Sequence, residues 1–194
     1  TASSRVSMSG INTITTANGT VLVTGHANTI SSNAGNMWVS GQTTTITNAD
    51  GGDIYLTGNT SNVTNADRGR IFITGHTATV TNADGGRIFV TGHSVSVGGT
   101  SAGTINITGK ETTITTANGV VNISGGNGCT NTVTTANDKV IMTGVNTVTS
   151  AAGTVYASGI NTLTTAQGTV NMSGVNTVTT ASSLVSMSGI NTIT

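Results

Sequence analysis

The sequence predicts an all-β chain, a β-solenoid of about twelve coils of 15–19 residues with two strands per coil, open at both ends and forming one domain over residues 1–194. Three observations predict it. A glycine after Ser or Thr recurs along the whole chain, at Gly10, Gly25, Gly41, Gly58, Gly75, Gly92, Gly109, Gly125, Gly144, Gly159, Gly174 and Gly189. Between these glycines lie two short runs, such as NTVTT and TVNMS, that alternate β-branched or apolar residues with polar ones, the period-two pattern of strands. Small residues of the form A-x-G separate the runs and mark a second turn in each coil. A stack of independent hairpins would not serve, because an isolated two-stranded hairpin cannot bury its apolar face. Coils stacked at about 4.8 Å would make a rod about 55–60 Å long.

The cleanest unit reads G-[IV]-N-T-[IV]-T-T-A-x-G-T-V-x-[VM]-[ST]. In its first arm the alternation sends inward a polar residue and then an aliphatic one. The polar column is Asn12, Asn28, Thr44, Ser61, then Asn131, Asn146, Asn161, Asn176 and Asn191. Identical buried amides one rung apart can bond to each other as a ladder. The aliphatic column runs from Ile14, Ile30 and Ile46 to Val178 and Ile193. The second arm sends in a pair per coil, from Val6 and Met8 through Val21 and Val23 to Val185 and Met187. Three apolar residues per coil make a thin core, at roughly 1.5–3 kcal/mol each. Such a core offsets chain ordering only when coils stack without interruption.

Composition narrows the function. Charged residues make up 6% of the chain and the formal net charge is zero, which argues against nucleic acid and anionic membrane as partners. No run of about 18 apolar residues is present to span a bilayer. The single cysteine, Cys129, excludes an internal disulfide framework. Low charge with abundant Ser, Thr, Asn and Gly fits an extracellular product, secreted or at the cell surface. Asn18, Asn59, Asn62, Asn106, Asn122 and Asn171 stand in N-x-[ST] sequons. No nucleophile–base–acid group, phosphate loop or Cys/His cluster is present, so an enzyme is not expected.

The chain opens TASSRVSMSGINTIT and closes TASSLVSMSGINTIT. Thr194 is the equivalent of Thr179 and Thr1 that of Thr180, so a second copy written after the first continues the motif. The terminal coils carry no Pro, charge cluster or helix to block an unpaired β edge. The expected partner is therefore a second copy, head to tail. Thr1, Val6, Met8, Asn12 and Ile14 would form one side of the seam, and Met187, Asn191, Ile193 and Thr194 the other. Such a heterologous contact does not close, and generates a filament. A fragment of a longer array and a monomer with unrecognised caps are the alternatives.

The outer surfaces offer two stripes. Leu22, Trp38, Tyr55, Phe72 and Phe89 point outward on successive rungs, beside an unbroken outer Ser/Thr column from Ser9 to Ser188. An exposed apolar stripe marks an interaction surface, read first as lateral packing of filaments and second as a platform for polysaccharide. The other face is a threonine array of Thr13 and Thr15, Thr45 and Thr47, Thr79 and Thr81, Thr113 and Thr115, Thr147 and Thr149, Thr162 and Thr164, Thr177 and Thr179. T-x-T is also what an exposed strand prefers.

Charges cluster in the middle coils. Asp50, Asp67 and Asp84 repeat in the turn NAD-x-G, with Asp53, Arg68, Arg70 and Arg87 nearby. Local salt bridges are the default, and calcium between the turn carboxylates is the alternative cofactor, although the nonapeptide pattern G-G-x-G-x-D is absent. His76 and His93 share a turn position on adjacent coils, with His26 three rungs below.

The T-x-T columns resemble the ice-binding face of insect antifreeze solenoids, which implies a flat grid of hydroxyls and methyls matched to ordered water. Thr29/Ser31, Asn62/Thr64 and Ser96/Gly98 depart from that grid. S-G-I-N at 9–12, 158–161 and 188–191, with the whole-chain periodicity, resembles repeat-built fibre subunits of the curlin type. That resemblance implies stacked two-strand coils with internal Asn and Ser ladders. The longer coils and internal Gln of those fibres are not matched.

Overall fold

The computed structural model describes residues 6–101, 103–126 and 128–194. Thr1 of the expected seam lies outside the described residues, as do the side chains of Val6 and Asp50. The strands are β1 (Val6–Ala17), β2 (Val21–Asn33), β3 (Met37–Asp50), β4 (Asp53–Asp67), β5 (Arg70–Asp84), β6 (Arg87–Ser101), β7 (Thr104–Ala117), β8 (Val120–Ser124), β9 (Thr130–Ala136), β10 (Lys139–Ala151), β11 (Thr154–Ala166), β12 (Val170–Ala181) and β13 (Val185–Ile193).

These strands form one sheet wound into a parallel solenoid, each coil laid on the one before it. β8 and β9 are the two arms of a single coil, since both pair with β7 and with β10. Thirteen strands therefore occupy twelve rungs, joined by eleven rung-to-rung steps. The two expected arms are present in every coil, but the ladder usually continues around the Ser/Thr–Gly corner. Each coil is then one bent strand, except where the insertion GGNGC separates β8 from β9.

The columns stack residue on residue. Ile14, Ile30, Ile46, Val63 and Val80 begin an aliphatic column that continues through Val178, none more than 5% exposed. The paired column of the second arm is likewise buried from Val21 and Val23 to Val170 and Met172. A further inward column was not expected. Ala49, Ala66, Ala117, Ala136, Ala151 and Ala166 are buried at the second turn, where A-x-G supplies turn and core at once. A methyl there fills the sharp end of the coil, where a larger side chain would push the arms apart.

The polar column divides. Asn131, Asn146, Asn161, Asn176 and Asn191 form a ladder in which each Nδ2 donates to the Oδ1 of the next rung at 2.7–2.8 Å. Asn12 donates to Asn28 in the same way at 2.9 Å. Between these segments Ala78 and Val95 take the column, and the hydroxyls of buried Thr44, Ser61 and Thr112 have no hydrogen-bond partner. A buried hydroxyl without a partner costs about 1–3 kcal/mol. Thr112→Val should therefore raise stability by about 1 kcal/mol, seen in calorimetry as a melting temperature about 2–4 °C higher. An unchanged or lower value would show that Thr112 is satisfied.

The ends differ in openness. Ile193 is 67% exposed on β13, whereas Ile14 and Asn12 on β1 are 5% exposed. The open edge expected from the sequence is most evident at β13.

Candidate functional site

The edge of β13 is the first candidate. Among the described residues β13 pairs on one side only, with β12, in unbroken register from Val170↔Val185 to Val178↔Ile193. Met187 and Val185 are half-buried against the core, and Asn191, Ile193 and Thr194 are exposed. The Asn191 side chain accepts from Asn176 and turns its own Nδ2 back to Gly189 O at 3.3 Å. In the preceding rungs that nitrogen also reaches the next asparagine and the carbonyl of the next Ser/Thr, as Asn176 does with Ser188 at 3.0 Å. The last rung thus carries donor capacity and apolar surface that its neighbours spend on a following coil. Of the residues expected on the other side, Met8 is half-buried and Asn12 and Ile14 are buried in β1.

The aromatic column is the second candidate. Leu22, Trp38, Tyr55, Phe72 and Phe89 occupy one register position on β2 to β6. The rings stack in parallel, with centroids 5.5 Å apart for Trp38–Tyr55, 4.7 Å for Tyr55–Phe72 and 4.9 Å for Phe72–Phe89, and interplanar angles of 4–6°. Leu22 and Trp38 are about two-fifths exposed, and the other three are half-buried. Each inner ring spends both faces on its neighbours, so the stripe shows mainly ring edges. Edges suit packing against another apolar stripe better than stacking of a sugar, which needs a ring face. Tyr156 continues the column further along, facing Ile141, with Lys139 Nζ 5.6 Å from its ring centre.

The threonine face is the third. Its inner column is in direct register from Thr13, Thr29 and Thr45 through Asn62, Thr79, Ser96 and Thr113. It then runs through Thr132, Thr147, Thr162 and Thr177 to Thr192. Thr132 and Thr192 lie in this column although the expected face did not include them, Thr132 directly after the inward Asn131 that the alternation had placed. The coil restores its register after the insertion. Thr15, Thr47, Thr81, Thr115, Thr149, Thr164 and Thr179 of the second column are exposed.

At the charged turns, Asp53 and Arg70 form a two-pronged ion pair, Nε donating to Oδ1 at 2.8 Å and Nη2 to Oδ2. The Asp53 carboxylate raises the Arg70 pKa, through the hydrogen bond first and its charge second. Arg87 lies in register with Arg70, and among the described residues it has no carboxylate partner. Asp67, Asp84 and Arg68 line a shared groove of about 680 Å³. Asp84 accepts from the Ser101 hydroxyl. Arg68 thus shares a groove with Asp67 and Asp84, two of the turn carboxylates expected to hold calcium, and no group of three or more His, Cys, Asp or Glu suited to a metal occurs among the described residues. His76 and His93 stack at 4.9 Å, and Cys129 is half-buried with a free thiol.

The aliphatic position of the unit G-[IV]-N-T proves to be a surface feature. The residue after the corner glycine is aliphatic and outward in some coils, with Ile11 81%, Ile160 54%, Val175 45% and Ile190 71% exposed. The signal was present in the 15-residue spacing of those coils. No known family model, curated protein or solved structure matches this chain.

Proposed function

We propose that the chain is a structural, non-enzymatic subunit of an extracellular filament, in which β13 of one copy takes β1 of the next as its following rung. The observation that supports this reading is the identity of the two edges. Residues 6–14 of β1 and 185–193 of β13 are both VSMSGINTI, and β12, as VNMSGVNTV, already pairs with that segment in direct register. A second copy's β1 therefore meets a template of the kind that β13 itself met. The bond between copies would repeat the bonds within them, hydrogen-bonded rungs with an amide ladder and an apolar core. Lateral packing through the aromatic column would bundle such filaments.

Cryo-electron microscopy of the purified chain tests it. Continuous filaments with rungs at about 4.8 Å, and a subunit repeat of twelve rungs, are the expected result. Dispersed rods of one length would overturn it.

The straightness of the threonine array supports a second reading, an ice-binding face. From β10 to β13, Thr147, Thr162, Thr177 and Thr192 pair rung to rung with no register shift. On that reading Thr147→Leu with Thr162→Leu removes most of the freezing hysteresis of the protein and leaves assembly unchanged. Full hysteresis in the double variant, or none in the native chain, would dispose of it.

A further inference from the structure

Apart from the coil that carries the insertion between β8 and β9, the corners are of two kinds. In β10 to β13 a single residue separates the glycine from the inward asparagine, as in Gly159-Ile160-Asn161, and the glycine has φ between +100° and +125°. In β2 to β7 two residues intervene, as in Gly25-His26-Ala27-Asn28, and the glycine stays outside the left-handed region. Chemistry follows length. The first corner residue is aliphatic in the short class and polar in the long one, from His26 to Lys110.

β1 belongs to the short class on every count. It reads Gly10-Ile11-Asn12, with Gly10 at φ +99°. Within the chain it lies against a long corner, and the β1–β2 register shifts between Ser9 and Ile11. The pairings among β10, β11, β12 and β13 run through their corners without a shift. β1 is thus mismatched to the rung that follows it and matched to β13.

The glycines add a steric observation. A Cβ at Gly159, Gly174 or Gly189 would lie 2.1 Å from the carbonyl oxygen of the glycine one rung earlier. At Gly10 a Cβ would meet nothing within 4 Å. Long corners make the same approach, 2.2 Å at Gly41 and 2.0 Å at Gly58, so it marks any corner laid on an earlier one, and at β1 it is left unmade.

We propose that corner class selects β1 as the rung laid on β13: Gly10 of one copy faces Gly189 of another, Ile11 faces Ile190, and long-corner rungs are disfavoured because a short corner meets them only through a register shift, as β1 meets β2. This inference rests on the filament reading above, and it names the register and the determinant of the seam. Because Ile193 is 67% exposed and Ile14 5%, β13 is the receptive edge.

The test uses the full chain carrying Cys129→Ser. With Ile11→Cys and Ile190→Cys together, a short thiol-to-thiol crosslinker should give a series of covalent multimers, and either substitution alone should give none. Gly10→Ala should raise the critical concentration for assembly tenfold or more, since its methyl meets the Gly189 carbonyl only in the stack. Gly51→Ala is the matched control, with φ +67° and nothing within 4 Å of its Cβ. It should assemble as the parent does. Filaments without the Ile11–Ile190 crosslink, or Gly10→Ala assembling like Gly51→Ala, would overturn the corner rule and leave the filament reading standing. A parent chain that never assembles would overturn both. Circular dichroism shows whether Gly10→Ala folds, and if it does not, the crosslink alone decides.

Discussion

Ile193→Lys is expected to stop filament growth while leaving the single chain folded. Ile193 sits on the aliphatic column directly after Val178, which is fully buried, yet Ile193 itself is 67% exposed because no described rung follows it. In the single chain a lysine there keeps its ammonium in water and rests its methylene stem on the core. In a stack, Ile14 of the next copy would cover it, and an unpaired buried charge costs several kcal/mol. At about 1.4 kcal/mol per tenfold change, the critical concentration should rise by roughly two orders of magnitude or more. Sedimentation of polymer against total protein measures this, with circular dichroism on the supernatant as the folding check. Filaments at the parent concentration would mean that this edge is not the seam.

Asn161→Leu is expected to be the most damaging single change inside the rod. Asn161 is 2% exposed, accepts from Asn146, and donates to Asn176 Oδ1 at 2.7 Å and Ser173 O at 3.0 Å. Leucine matches its size but leaves the Asn176 oxygen and the Ser173 carbonyl unpaired, at about 1–3 kcal/mol each. A loss of about 3 kcal/mol or more follows, equivalent to a fall in melting temperature of about 6–12 °C. It is the opposite sign from Thr112→Val in the same column. There the polar atom is already orphaned; here it is satisfied on both sides. Equal melting temperatures for Asn161→Leu and the parent would remove the ladder from any account of stability. Because coils contact only their neighbours, the damage should appear first as loss of protection in β10 to β12.

The apolar columns were legible because two constraints act together. The recurring glycine sets the phase of each coil, and period-two alternation then fixes which residues face in. Asn146, Asn161 and Asn176 could be placed inside for the same reason. The alanine column was hidden by its own economy: Ala151 and Ala166 stand where small residues read as turn, and turn and core occupy the same position. The direction of the amide ladder, and its failure at Thr44, Ser61 and Thr112, depend on distances that alternation does not encode. Trp38, Tyr55, Phe72 and Phe89 were rightly read as outward neighbours, but only coordinates show that they spend their faces on each other. The two corner classes were visible as spacings of 15 against 16–17 residues. Their meaning required the register shift at β1–β2 and the φ of Gly10.

The unshifted pairing of β11 with β12 has a consequence for how such a molecule can change over generations. Gly159 faces Gly174, Asn161 faces Asn176 and Ala166 faces Ala181, so the segment from one glycine to the next is interchangeable with its neighbour. Duplicating that segment, or deleting it, leaves every inward column continuous and every corner matched. Length in this half of the rod is therefore close to a neutral variable. A replication slip of one whole coil would yield a longer or shorter rod rather than a misfolded one.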